Sequence, residues 1–205
     1  MNTKPATTFN NFEEAVGFVD GLLAKQPGAS ELALEALADG KFDGLPAQIE
    51  LDDDGRSARL LRAITYYSPK GLDWPVPVGA WLDGASIPRI FWTIIGGPFE
   101  GKYRNASIVH DHYCIVKTRS WRDTHLMFHD AMRCSGVGQT QATVMYYAVY
   151  RFGPRWAEAG LESLTNAADE INDSNADSFV QDVLRIVAEE LGPEAASKLA
   201  DAHIM

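Results

Sequence analysis

Residues 103–117 and 120–134 read as two helices joined only by Lys117-Thr118-Arg119-Ser120, and no other feature constrains the fold as much. A link this short makes the helices antiparallel neighbours, so residues equidistant from the turn face each other. Ser120 is the expected N-cap of the second helix. The first helix is apolar nearly all round (Ala106, Ile108, Val109, Tyr113, Ile115, Val116), which predicts a buried helix. On the second helix Trp121, Phe128 and Met132 make an apolar stripe with His125 in its middle. In this register His110 stands opposite His125.

The flanking text completes an α+β reading. Phe9, Phe12, Val16, Val19 and Leu23 predict an amphipathic helix over 9–25, and a short helix is expected over 30–39, ended by Gly40. Gln48–Leu51 and Ala58–Tyr67 around Asp54-Gly55 predict a β-hairpin. Trp74-Pro75-Val76-Pro77-Val78 and Ala80-Trp81-Leu82 are expected at sheet edges, because proline cannot donate to a central ladder. Further helices are expected over 88–95 and 140–152. Residues 166–178 read as a polar linker, and Phe179, Val183, Ile186, Val187 and Leu191 as an amphipathic helix stopped by Gly192-Pro193, with a weak last helix after it. The expected architecture is therefore a small N-terminal antiparallel sheet, a helical core with an antiparallel helical hairpin, and an acidic helical tail. The expected divisions are a helical segment 1–44, a core domain 45–156 and an appendage 157–205. Residues beyond about 166 are expected to be separable from the fold, with docking of the tail as the alternative.

Charge narrows the function. Residues 157–205 hold eleven acids and two bases, whereas residues 1–156 hold seventeen acids and sixteen bases. A near-neutral body with an acidic tail offers no basic patch for nucleic acid or an anionic membrane. The tail suits a protein partner, although a solvated acidic helix is the commoner reason for such a composition. No apolar run reaches the roughly 18 residues of a membrane span. The N-terminus carries no secretory h-region, and Cys114 and Cys134 are too few for a disulfide framework. A cytoplasmic location is expected.

Four of the five histidines, His110, His112, His125 and His129, fall within twenty residues. His110 and His125 should share the helix–helix seam, with Asp111 about 100° round from His110. Two imidazoles beside a carboxylate suit a metal site, or a histidine base held by a partner. The bland alternative is a polar pair within a core. His112 points away, His129 flanks the stripe one turn beyond His125, and His203 carries no signal. Asp83 and Ser86 can cap a helix opening near Pro88; in a functional reading Asp83 or the loop carbonyls reach the seam.

Asp83-Gly84-Ala85-Ser86-Ile87-Pro88-Arg89, Phe91-Trp92, Gly97-Pro98, Tyr103, His110-Asp111, Phe128, Met132 and Phe152-Gly153 together resemble the phage and bacterial family catalogued as domain of unknown function 1353, over roughly residues 45–153. The resemblance implies a phage or prophage origin and carries no activity. The His-Asp doublet is also similar to that of metal-dependent phosphohydrolases, but these need a histidine well upstream, and residues 1–109 contain none. A closer likeness of arrangement is to phospholipase A2. That likeness implies His110 as the base, Asp111 as a calcium ligand, carbonyls from Asp83–Ser86 or Gly96–Gly97, and His125 or Asp123 as the partner.

The expected function is a metal-dependent hydrolase with His110 and His125 as catalytic residues and Asp111 and Asp83 as metal ligands. Calcium or zinc is the expected ion, and a small lipid-like or ester substrate fits the likeness above. The alternative is a non-catalytic, phage-type structural or interaction protein with core histidines.

Overall fold

The computed structural model describes residues 39–54, 57–82, 101–157 and 173–204, together with the helical Gly17 and Gly21. Of the expected helix 9–25 only those two glycines are described. The helices expected over 30–39 and 88–95 lie outside the described residues, save for Asp39.

Among the described residues the strands come first: β1 (Lys41–Asp43), β2 (Ile49–Leu51), β3 (Ala58–Leu60), β4 (Ile64–Tyr67), β5 (Asp73–Val76) and β6 (Trp81–Leu82). The helices follow: α1 (Arg104–Val116), α2 (Trp121–Cys134), α3 (Gln139–Phe152), α4 (Asp173–Ala188) and α5 (Pro193–Asp201). The chain is α+β, and the three expected core helices lie within a residue or two of their predicted bounds. No helix among the described residues is long and apolar enough to cross a membrane.

The strands form two antiparallel three-stranded sheets, ordered β1-β4-β5 and β2-β3-β6. The expected hairpin forms between β2 and β3, with Ile49 opposite Leu60 and Leu51 opposite Ala58. Asp52 N–H donates to the Ser57 carbonyl at 2.8 Å, and the Asp54 carboxylate accepts from the Ser57 N–H and hydroxyl. The second strand of that hairpin is shorter than expected. Residues 58–67 do not run as one strand, because the exposed Leu61-Arg62-Ala63 interrupts them and β4 crosses into the other sheet. Inward alternation survives the break, since Ala58, Leu60, Ile64 and Tyr66 are all buried. β5 and β6 are edge strands, so Pro75 sits where a missing N–H costs no central hydrogen bond.

The inner row of the sheets packs on α1, where Tyr113 meets Trp74 edge-on at 4.8 Å between centroids and donates its hydroxyl to the Pro75 carbonyl. Successive layers then run from α1 to α2, from α2 to α3, and from α3 to α4 and α5. Sandwiched between sheet and helix, α1 buries Ala106, Ile108, Val109 and His110 completely. Its last turn departs from expectation: Ile115 and Val116 are about 40% exposed. Ser120 caps α2 as predicted, its hydroxyl oxygen accepting from the Asp123 N–H at 3.0 Å. Gly136, at φ 80°, lets the chain leave α2 while Val137 N–H returns to the Met132 carbonyl.

The acidic segment is docked. Phe179, Val180, Val183 and Ile186 of α4 and Ala196 and Ala200 of α5 are fully buried and continuous with the core. The expected polar linker is already helical from Asp173. A separable tail is therefore not what the structure shows, because the apolar face of α4 is covered by α3, with Phe179 stacked on Tyr147.

Candidate functional site

The register of the α1–α2 hairpin brings His110 and His125 together: His110 Nε2 lies 2.8 Å from His125 Nδ1, and both residues are fully buried. One turn along α1, the Cys114 thiol sits 3.7 Å from Nε2 and 3.9 Å from Nδ1 of His110. One donor atom from each of His110, Cys114 and His125 lies within 4.8 Å of the others, a group able to hold a metal ion.

Aromatic rings wall this group. Phe128 stacks on His110 at 4.5 Å, and Trp121 and Trp156 meet His125 edge-on. Burial holds both imidazoles neutral. The pKa of His110 falls well below its usual value through desolvation, with His125 adding to the effect, and desolvation lowers His125 to about 3. The Pro154 carbonyl sits beside the His125 ring and favours its charged form, and Arg155 opposes it. No hydrogen bond of proper geometry closes on His125 Nε2, nor on the buried Ser107 and Thr124 hydroxyls of the same two helices. Since Nδ1 of His125 is engaged with His110 and the ring is neutral, a proton on Nε2 is the tautomer that lets Nδ1 accept from His110.

Of the residues singled out by sequence, the structure joins His110 and His125. Asp111 is buried, at 2% exposure, but is not one of the three clustered donors. Asp83 lies outside the described residues. His129 belongs elsewhere: its Nδ1 meets Asp130 at 3.0 Å and its Nε2 faces Thr143. His112 is half-buried, off the seam. Cys114 is not among the site residues expected from the sequence, where it counts with Cys134 only against a disulfide framework. The available signal was its spacing, because residues i and i+4 share a helix face.

Comparison with known proteins now bears on this geometry. Residues 58–149 match the family described as protein of unknown function (DUF1353). All three clustered residues and the α1–α2 hairpin fall inside the DUF1353 span, whereas Pro154–Trp156, α4 and α5 lie beyond it. Two relatives come from Sinorhizobium fredii (strain NBRC 101917 / NGR234). The uncharacterised protein y4jT is 48% identical over 118 residues, covering 57% of this chain and 35% of its own. The uncharacterised protein y4iH is 38% identical over 116 residues, covering 56% of this chain and 48% of its own. The chain thus spans less than half of either relative. No solved structure matches it significantly.

Proposed function

We propose that the core domain is a metal-dependent hydrolase whose ion, of the zinc class, is held between α1 and α2 by His110, Cys114 and His125. The observation that carries this reading is the convergence of three buried donors from two adjacent helices. Two imidazoles and a thiol suit zinc, whereas calcium takes oxygen ligands, so the donor set favours zinc over the calcium that Asp111 suggested. Neutral imidazoles keep their lone pairs available for metal.

A tetrahedral zinc would set N···N and S···N separations of about 3.4 and 3.6 Å. The Sγ···Nε2 distance of 3.7 Å already fits. The imidazole nitrogens, at 2.8 Å, must part by about half an ångström. Three protein donors would leave one position of a zinc ion open, and the chemistry such an ion would supply there is activation of water for hydrolysis. Cys114, at 7% exposure, is the least enclosed of the three.

A second reading, a non-catalytic domain with a core histidine pair, is favoured by the direct 2.8 Å contact and the complete burial of both rings. Thermal shifts with zinc, calcium and manganese separate the two. Zinc at a hundred times its Kd should stabilise the fold by about 2.7 kcal/mol, and calcium should not. His110→Ala, Cys114→Ala and His125→Ala should each abolish the shift, while His112→Ala keeps it. A wild type that purifies without metal and ignores all three ions leaves the core-pair reading standing.

A further inference from the structure

The geometry points to the segment Gly153–Trp156 as a strap that positions His125 and covers it from one side, with Trp156 as its latch. The inference deepens the metal reading, and its first arm stands without it. After α3 ends, Gly153 turns extended at φ −77° and ψ 175°, and residues 154–157 take no regular structure. This short coil nonetheless buries Arg155 and Trp156. Trp156 places its ring 6.3 Å from that of His125 and donates its indole N–H to the Arg119 carbonyl at 2.8 Å, which ties the strap to the α1–α2 turn. Pro154 lies beside His125.

Two physical points give this arrangement a role. Metal-bound histidines commonly donate their second ring N–H to a backbone carbonyl, which fixes tautomer and orientation. Here the Pro154 backbone lies against the His125 ring, whose Nε2 has no hydrogen bond of good geometry. When His125 moves to admit an ion, Nε2–H can complete a bond to the Pro154 carbonyl. The second point is the cost of entry. Parting α1 from α2 would break the Phe128–His110 stack and the core beneath it, whereas lifting the strap breaks the indole hydrogen bond and the Trp156–His125 ring contact and leaves the helix–helix packing in place. Of these two movements of described elements, lifting the strap is the less costly way to open the cluster.

The test uses Trp156→Phe, which keeps a buried ring and removes the indole N–H. In the first arm, metal-free protein is treated with iodoacetamide and labelling is followed residue by residue by mass spectrometry. Cys114 should label slowly in the wild type and several-fold faster in Trp156→Phe, with Cys134 as the internal reference. Phe179→Leu, which weakens the distant α3–α4 seam, should leave the Cys114 rate unchanged. In the second arm, zinc affinity of Trp156→Phe should fall by about 10–100-fold, the usual effect of losing an outer-shell partner. Equal Cys114 rates in wild type and Trp156→Phe, or equal acceleration by Phe179→Leu, would overturn the strap. If the wild type takes up no zinc, the proposed function fails while the labelling arm still decides whether the strap covers the cluster.

Discussion

Two of the described helix seams bury ionisable groups in opposite ways. At the α3–α4–α5 seam every group has company. The Tyr147 hydroxyl donates to Asp182 at 2.5 Å, Arg151 donates to Tyr147 and to the Ser178 hydroxyl, and His203 meets Asp182 at 2.9 Å. Burial, and then the Asp182 carboxylate, push the Tyr147 hydroxyl upward, so it remains a donor. At the α1–α2 seam the His110–His125 contact is made, but His125 Nε2, and the Ser107 and Thr124 hydroxyls on the same two helices, make no hydrogen bond of good geometry. Closed networks of buried polar groups specify a fold, whereas an incompletely satisfied one calls for a ligand, water or strain to explain it. By that criterion the first seam is structural and the second is the functional candidate.

The largest effect should come from removing the structural seam. Truncation after Ala168 deletes Phe179, Val180, Val183 and Ile186, all fully buried, each contributing about 1.5–3 kcal/mol. Their sum rivals the whole stability of an ordinary domain, about 5–15 kcal/mol. The truncated protein should aggregate or melt without cooperativity in calorimetry. A sharp native transition would show that the seam is dispensable. Asp182→Ala should cost less, about 2–4 kcal/mol by urea denaturation, because it strands the buried Arg151 guanidinium that lies 3.6 Å from that carboxylate. An unchanged midpoint would show that the network is ornamental to the fold.

The contrast between the seams was only half legible in the sequence. Helical periodicity and a four-residue connection were enough to place His110 opposite His125, since hairpin register follows from local geometry. The docking of the tail was not, because an amphipathic acidic helix says that an apolar face exists and not what covers it. Asp182 meets Tyr147 across 35 positions of chain, a pairing that no local pattern encodes. The division of residues 58–67 between two sheets was hidden for a similar reason: alternation reports which face is inward and is silent on the neighbouring strand. Cys114 was the one recoverable omission, visible as His-x-x-x-Cys on a helix already read as buried.

The smallest effects test the functional seam, and their sign matters more than their size. In the fold both imidazoles are held neutral, with His125 lowered to about 3, whereas in the unfolded chain each takes a proton near pH 6.5. Below that pH the unfolded state binds more protons, so stability should fall by about 1.4 kcal/mol per pH unit for each histidine, down toward pH 3 for His125. The double variant His110→Leu/His125→Leu should lose this acid sensitivity between pH 6.5 and 5. At pH 7 it should match or slightly exceed wild-type stability, within about 1 kcal/mol, because both polar partners leave together and no buried group is orphaned. His125→Leu alone should cost about 1–3 kcal/mol, since His110 Nε2 then loses its 2.8 Å contact inside the core. A seam that tolerates apolar replacement yet keeps two imidazoles and a thiol holds them for something other than stability. If the double variant instead loses several kcal/mol at pH 7, the histidine pair supports the fold as Asp182 does, and the distinction between the two seams disappears.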